Sequence, residues 1–309
     1  EPFELNFYKW EKEFKDKPYL RQPIGEAWEE YTWGQVGDMA RRLASGLKSL
    51  NLREGAHIGI YSKNCREWII SDLAIVMAGY VSVPFFPSLN GKELSYIMDY
   101  GDVDALFVGK IETWDEIKND LSDEMPIIRF PKYDGCSDVT KGYEWHEFIN
   151  NHDPIQNPHT PKLSDLWTII FTSGTTGNPK GVMLTYQAID GIKVVLDDPN
   201  NPLGIKHTGN NDFISYLPLN HIFERVVIEW CSFRYGGTIS FVESIEKFGQ
   251  NLKSVQPHVF AAAPRVWTKL QMGILSKFPQ KRLDFLLKIP VFSSILKKLI
   301  RKGLGFSKV

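Results

Sequence analysis

Apolar residues recur with two different periods along the first half of the chain. The stretch Thr32-Trp33-Gly34-Gln35 reads as a capping box and predicts the start of a helix with Thr32 as its N-cap. The apolar residues that follow at helical spacing are Val36, Met39, Ala40, Leu43, Leu47 and Leu50. Short β-type runs predict strands at 57–61, 80–85, 105–108 and 127–130, the second stopped by Pro84 and Pro87. Helices are predicted at about 66–79 and around Leu94, Ile97 and Met98, and this alternation is typical of parallel βαβ units.

The segment 150–161, NNHDPIQNPHTP, is rich in Pro, Asn and His and is the best candidate for a boundary. Beyond it the alternation resumes, with strands predicted at 166–172, 182–184, 212–217, 238–241 and 259–262, and helices at 186–195 and after His221. We therefore predict an α/β fold of two stacked αβ subdomains, 1–162 and 163–309, with mostly parallel sheets flanked by helices.

Composition narrows the class of protein. The chain has 309 residues, of which 43% are hydrophobic and 24% charged, as in a soluble globular protein with room for two ordinary domains. Its formal net charge of −1 gives no whole-molecule argument for nucleic acid as a partner. Cys65, Cys136 and Cys231 lie far apart and form no CxxC, which suggests a reducing compartment and no metal site.

No apolar run approaches the length that crosses a bilayer, and no signal peptide is visible at the start. The sequence therefore predicts a cytoplasmic protein. The first residue is Glu1 rather than methionine, so we expect the N-terminus to have been trimmed.

Residues 168–185 read TIIFTSGTTGNPKGVMLT, a loop of glycines and hydroxyl residues between two β-type runs. Glycines let the backbone approach a ligand closely, successive amides can bind an anion, and Lys180 adds a positive charge, which together suit a polyphosphate. A flexible linker is the alternative, but strand candidates bound the loop on both sides. Lys180 is followed by Gly181 and another strand, so this is not a Walker A sequence, and it points away from γ-phosphate transfer.

The stretch FTSGTTGNPKGVMLT resembles the phosphate-loop motif of adenylate-forming enzymes, which include acyl-CoA synthetases, aryl-CoA ligases, luciferases and peptide-synthetase adenylation domains. Residues 216–225, YLPLNHIFER, and 261–267, AAAPRVW, resemble core motifs in the form typical of long-chain fatty acyl-CoA synthetases. Residues 31–102, including MAGYVSVP at 77–84, are similar to the family's N-terminal part. The resemblance covers essentially the whole chain.

This resemblance implies a reaction in two steps. A carboxylate attacks the α-phosphorus of ATP and pyrophosphate leaves, after which the thiol of coenzyme A displaces AMP from the acyl-adenylate. The resemblance makes Thr172 a Mg²⁺ ligand and Lys180 and His221 catalytic. It also makes a phosphate cradle of Thr172, Ser173, Gly174, Thr175, Thr176, Gly177 and Lys180. The alternative for Thr172 is a strand-end hydroxyl that bonds its own backbone.

The later motifs supply candidates for the acyl end of the site. By resemblance His221 lies beside the acyl carboxylate and the adenylate, although a lone histidine is more often structural or a helix cap. Glu224 is expected to contact substrate or to form an ordinary ion pair, as is its neighbour Arg225. Arg265 follows Pro264 at a helix start, so it either contacts substrate or is solvated. An acyl tunnel lined by Phe223, Val227, Trp230 and Trp267 is the alternative to plain core.

The segment 277–308 contains nine Lys or Arg residues and one acid, Asp284, interleaved with leucine, isoleucine, valine and phenylalanine. One interpretation is a helical surface that lies on anionic lipid at the inner face of the membrane. The other is a surface helix that packs on a domain outside this sequence.

The resembled family also needs a Tyr-Gly-x-Thr-Glu motif, a later ribose-binding aspartate, and a mobile C-terminal domain with a catalytic lysine. None of these is found in the sequence. We therefore expect an N-terminal piece of a longer long-chain acyl-CoA synthetase, with little turnover alone. Alternatives are a fatty acyl-AMP ligase, an aryl-CoA ligase, or a non-catalytic nucleotide- or lipid-binding module.

Overall fold

The computed structural model describes residues 2, 5–172 and 179–309. Among these residues the strands form two sheets, one of seven strands and one of four. The strands are β1 (Pro18–Ile24), β2 (Ala27–Thr32), β3 (His57–Ser62), β4 (Val81–Phe85), β5 (Val103–Gly109), β6 (Ile127–Arg129), β7 (Tyr143–Glu144), β8 (Leu166–Thr172), β9 (Lys180–Thr185), β10 (Asp212–Ser215) and β11 (Thr238–Phe241).

Helices flank both sheets. They are α1 (Leu5–Glu13), α2 (Trp33–Ser49), α3 (Arg66–Met77), α4 (Gly91–Tyr100), α5 (Trp114–Ile117), α6 (Trp145–Asn150), α7 (Tyr186–Asp190), α8 (Lys193–Leu196), α9 (Ile222–Glu224), a π-helix (Arg225–Trp230), α10 (Cys231–Tyr235), α11 (Phe248–Val255), α12 (Pro264–Lys277), α13 (Gln280–Lys288) and α14 (Pro290–Leu304).

The predicted α/β fold is confirmed. The larger sheet has the order β7-β6-β5-β3-β4-β8-β9 and is parallel except at β8–β9, and the smaller has the order β10-β11-β1-β2 and is parallel except at β1–β2. Central strands of such sheets are covered on both faces, which explains the nearly continuous apolar runs of β3, β4 and β5.

The capping box at the start of α2 is present in full. The Thr32 side chain accepts a hydrogen bond from the Gln35 amide at 3.2 Å, and the Gln35 side chain accepts one from the Thr32 amide at 2.8 Å. The apolar stripe predicted behind this cap turns Val36, Ala40 and Leu43 into the core. Here local sequence chemistry and tertiary packing agree.

Strand pairing crosses the predicted boundary in both directions. β8 joins the larger sheet by pairing with β4, and β1 joins the smaller sheet by pairing with β11. Each sheet therefore contains strands from both sides of residue 162. The division into the domains 1–162 and 163–309 stays a prediction.

Three predicted elements differ from the structure. Pro84 lies inside β4 and does not end it, because the ladder from β4 to β8 is formed at Ser82 alone and a missing N–H further along is tolerated. The strand predicted at 259–262 is a single bridge between Val259 and Phe213, in a segment bracketed by prolines. The helix predicted at 186–195 divides into α7 and α8.

No helix among the described residues is long and apolar enough to cross a membrane.

The Thr32 cap gives a test of this account. Thr32→Ala should lower the free energy of unfolding by about 1 kcal/mol, because the Gln35 amide loses its acceptor. Thr32→Ser keeps the oxygen and should stay close to wild type. Urea unfolding followed by circular dichroism measures both variants, and an alanine variant as stable as wild type would contradict the role of the cap.

Candidate active site

Thr172 and Lys180 face each other at the open end of a two-stranded ladder. Thr172 is the last residue of β8 and Lys180 the first of β9, and they are direct partners in the antiparallel register. Both are exposed. The structure therefore brings the two ends of the predicted phosphate cradle together. Its other predicted members, Ser173, Gly174, Thr175, Thr176 and Gly177, lie outside the described residues.

The strand that leads into this site is fixed by Thr168. Its hydroxyl is buried and donates to the Ser82 carbonyl at 2.8 Å, where β8 meets β4. The same oxygen accepts a hydrogen bond from Arg225 Nη1 at 2.7 Å. Because β8 is held at this point by a neighbouring strand and by a helix, its exposed end at Thr172 has a defined position.

Arg225 is completely buried, with 0% of its surface exposed. Its guanidinium pairs with Asp72 on α3 at 2.6 Å and with Glu229 on the π-helix at 2.9 Å. It also lies 4.0 Å from the centroid of the Trp167 ring on β8. One charged side chain thus joins three elements, and Arg225 is an ion-paired structural residue.

The two carboxyls around Arg225 have one buried oxygen each, Asp72 Oδ1 and Glu229 Oε1, without a hydrogen-bond partner among the described residues. Burial raises the pKa of Glu229 well above its ordinary value, and the nearby charge of Asp72 adds to this, although Arg225 opposes it. Two buried carboxyls thus share one guanidinium, which favours a proton on Glu229.

Glu224 does not pair with its neighbour Arg225. Its carboxyl is 2% exposed, and Oε1 accepts hydrogen bonds from the Ser215 hydroxyl at 3.0 Å and the Tyr216 amide at 2.9 Å. Burial raises the pKa of Glu224 to about 8, although these hydrogen bonds act to lower it. Glu224 therefore anchors the turn that follows β10, and its predicted contact with substrate stays a prediction.

His221 is an exposed N-cap of α9. Its Nδ1 accepts a hydrogen bond from the Phe223 amide at 3.2 Å, so the proton of the neutral ring lies on Nε2. The structural alternative considered from the sequence, a helix cap, is therefore present. The exposed ring still leaves Nε2 as a hydrogen-bond donor for a ligand.

Arg265 and the predicted tunnel residues separate into two groups. Arg265 is exposed one residue after Pro264, which begins α12. Val227 and Trp230 are buried and belong to the core, so the core interpretation is correct for these two. Phe223 and Trp267 are exposed by more than two fifths, and their place in an acyl tunnel stays a prediction.

Asn64 was not found by sequence reasoning, yet it holds the segment that leads to His221. Its amide nitrogen donates to the Ser215 hydroxyl at 2.8 Å and the Leu217 carbonyl at 2.6 Å, and its oxygen accepts from the Leu219 amide at 3.0 Å. The available signal was position, because Asn64 follows the carboxyl end of a predicted parallel strand, where ligand sites of such sheets lie.

Lys110 occupies the equivalent place after β5 and supports Asn64. Its ammonium is buried and donates to the Asn64 carbonyl at 3.0 Å and to the Val242 carbonyl, just beyond β11, at 3.4 Å. Burial lowers its pKa. These bonds tie the carboxyl ends of strands from both sheets to one another.

A bound Mg²⁺ was also predicted. Among the described residues no cluster of three His, Cys, Asp or Glu side chains could hold a metal ion. The exposed hydroxyl of Thr172 supplies a single neutral oxygen. That donor fits Mg²⁺ only as one ligand of an ion whose other ligands are substrate phosphates and water, which is a common arrangement for this metal.

The raised pKa of Glu224 predicts that stability falls as pH rises. The pKa of Glu224 in the folded protein, about 8, lies above the ordinary value of 4.5. Its contribution to the free energy of unfolding is therefore complete below pH 4.5 and is lost as pH rises through the folded-state pKa. Glu224→Gln keeps an acceptor oxygen but removes the titration. Between about pH 5 and about pH 7.5, wild type should lose on the order of 1–3 kcal/mol relative to this variant in urea unfolding.

The matched control for this test is Glu54→Gln, which changes an exposed carboxyl and should keep the pH dependence of wild type. Equal pH dependence in wild type and the Glu224 variant would contradict a protonated, buried Glu224.

Replacing Asn64 tests the loop anchor. Asn64→Leu should cost about 2 kcal/mol in the free energy of unfolding, because buried groups lose their partners. It should also speed hydrogen exchange at the Leu219 amide, which in wild type donates a hydrogen bond to the Asn64 side-chain oxygen. Asn157→Ala, at an exposed position, should change stability by less than about 0.5 kcal/mol. Unchanged exchange at Leu219 in the Asn64 variant would refute the anchor.

Comparison with known proteins places this geometry in a family. The AMP-binding enzyme family matches residues 7–302. Long chain acyl-CoA synthetase 4 of Arabidopsis thaliana is 31% identical over 261 residues, which cover 80% of this chain and 38% of that protein. The long-chain-fatty-acid--CoA ligase ACSBG2 of Rattus norvegicus is 28% identical over 271 residues, which cover 82% of this chain and 40% of that protein.

Solved structures agree on the fold. The anthranilate CoA ligase AuaEII in complex with anthranoyl-AMP superposes with a TM-score of 0.70 at 19% identity, over 84% of this chain and 49% of that one. A natural red emitting luciferase from Phrixothrix hirtus gives a TM-score of 0.67 at 19% identity, over 83% of this chain and 48% of that one.

The chain spans less than half the length of the curated relatives it matches. Nearly all of its own length lies within the family match. The chain therefore belongs to the AMP-binding enzyme family.

Proposed function

We propose that this chain provides the phosphate-binding part of an ATP-dependent acid–thiol ligase that activates a long-chain fatty acid, first to acyl-AMP and then to acyl-CoA. The observation that carries the proposal is the register of β8 and β9, which sets Thr172 opposite Lys180 at the two ends of the glycine and hydroxyl loop. Family membership and acyl-CoA synthetase relatives near 30% identity support it.

The chemistry of the first step is mainly a problem of charge. A carboxylate must approach a polyphosphate, and pyrophosphate must leave, so positive charge placed in advance lowers the barrier. Lys180 would supply that charge at the exit of the loop. Thr172 would give one oxygen ligand to Mg²⁺, which offsets negative charge on the phosphates when it is bound.

The loop itself would bind the β- and γ-phosphates. Ser173, Thr175 and Thr176 carry hydroxyl donors, and Gly174 and Gly177 let their amides approach the phosphate oxygens. Anchoring of β8 by Thr168 and Arg225 supports this role. When the strand end is already fixed, the loss of conformational entropy on binding phosphate is smaller.

The acyl carboxylate would bind near the segment 216–225. His221 would donate a hydrogen bond from Nε2 to the carboxylate or to the adenylate phosphate, since Nδ1 is already occupied. Glu224 would act as a positioning residue, because its buried carboxyl holds the backbone before His221. Arg265 is an exposed cation that would attract an anionic substrate.

Coenzyme A would enter in the second step, and its thiol would displace AMP. This step, the ribose contact and the catalytic lysine are proposed to belong to a C-terminal domain of a longer protein. The partial coverage of the relatives supports this assignment. ATP–pyrophosphate exchange by such a protein with palmitate, acetate and an aromatic acid distinguishes a long-chain from a short-chain or aryl ligase.

Lys180 gives the sharpest test within this chain. We expect Lys180→Ala to bind magnesium–ATP at least about tenfold more weakly than wild type, because a charge-assisted hydrogen bond is lost. Isothermal titration calorimetry measures both affinities. Lys180→Arg keeps the positive charge and should lose less affinity for magnesium–ATP. Lys162→Ala removes another exposed lysine close to β8 and should bind like wild type. Equal affinity of wild type and Lys180→Ala would refute the proposed role.

A further inference from the structure

Helix α14 has three distinct sides. Ser293 and Leu296 are buried, with Ile300 and Leu304 partly buried on the same side, and α14 packs on both α13 and α11. This stripe is the side that a surface helix ordinarily turns to its core. It accounts for only part of the apolar residues of α14.

A second apolar stripe runs along the solvent side. Val291, Phe292, Ile295 and Leu299 are between 54% and 69% exposed. At about 100° per residue, this stripe lies roughly a third of a turn from the buried one. Phe285 on α13 is also exposed, by 65%. Contiguous exposed apolar side chains of this kind mark an interaction surface.

The third side is basic. Lys297, Lys298, Arg301 and Lys302, with hydroxyls of Ser294 and Ser307, line a groove between the buried and the exposed apolar stripes. The surrounding segment 277–308 has nine cations and one acid, in a chain of net charge −1. The rest of the chain is therefore acidic, and net positive charge is concentrated in this segment.

The position of α14 is fixed at its C-terminus. Gly305 ends the helix with a φ of +91°, and a side chain there would meet the Leu252 carbonyl at 2.5 Å. Phe306 is buried against Phe260, with ring centroids 4.7 Å apart. Lys308 pairs with Asp212 on β10 at 2.8 Å. The exposed stripe is thus held outward by the packed end of its own helix.

We propose that the exposed apolar stripe and the basic groove of α14, together called the basic apolar face, dock on an anionic lipid bilayer. The four apolar side chains would enter the boundary between headgroups and acyl chains, while the cations beside them bind lipid phosphates. The site requires no ligase chemistry and stands independently of the proposed function.

Charge selects lipid over two other occupants. A second copy that docks through the same face would bring the same cations against it, and like charges repel. Nucleic acid would satisfy the cations but would leave the apolar stripe against a polar surface. An anionic bilayer is complementary to both features at once, because its surface is negative and its interior apolar.

Vesicle flotation tests the proposal on the 309-residue chain. The chain should float with vesicles of phosphatidylcholine and phosphatidylserine, far less with phosphatidylcholine alone, and less as salt is added. Lys298→Glu/Lys302→Glu should weaken partitioning into the anionic vesicles by roughly thirtyfold or more. Phe292→Ser/Leu299→Ser should weaken it by about tenfold or more at unchanged charge.

Matched variants control for charge and apolarity elsewhere. Lys92→Glu/Lys132→Glu makes the same change in net charge at two exposed positions, and Ile245→Ser removes an exposed apolar residue outside the face. Both should float nearly like wild type, as should Lys180→Ala. Circular dichroism verifies that each variant is folded.

Three results would overturn the proposal. The first is a folded wild-type chain that does not float with anionic vesicles. The second is flotation of Lys298→Glu/Lys302→Glu equal to that of wild type. The third is a stable dimer by light scattering that Phe292→Ser/Leu299→Ser dissociates, because the face would then belong to a second copy.

Discussion

The buried charge of Arg225 is the constraint on which the candidate site depends. A guanidinium without solvent is costly unless it is paired and hydrogen-bonded, and Arg225 satisfies both conditions with Asp72, Glu229 and Thr168. These partners lie on α3, the π-helix and β8. Losing Asp72 would leave the guanidinium without its counter-charge, and losing either other contact would leave a buried N–H without its acceptor. The three elements therefore keep one arrangement, and the end of β8 at Thr172 takes its position from it.

A second polar cluster extends this order to the loop before His221. Asn64 binds the 215–219 segment at three points, Lys110 holds Asn64, and Glu224 closes the turn from the other side. All of these groups lie beyond carboxyl ends of strands. The proposed phosphate end and the proposed acyl end of the candidate site are therefore each supported by buried polar groups, which fix geometry more narrowly than apolar packing does.

Local chemistry predicted much of the fold. The Thr32 capping box, the apolar period behind it and the β-type runs at β3, β5 and β8 are encoded by neighbouring residues, so they could be read directly from the sequence. The π-helix could not, because Arg225 at its start is paired with residues that are distant in the sequence, Asp72 and Thr168. The roles of Asn64 and Glu224 were missed for the same reason, since their partners are brought together only by folding.

The central claim is that residues 172–181 bind the polyphosphate of a nucleotide. The most direct measurement is amide chemical-shift mapping by transverse-relaxation-optimised NMR during titration with magnesium–ATP. We expect the largest saturable shifts at the amides from Thr172 to Gly181, with smaller shifts near His221. Saturable shifts concentrated elsewhere, or none at all in a folded chain, would contradict the account.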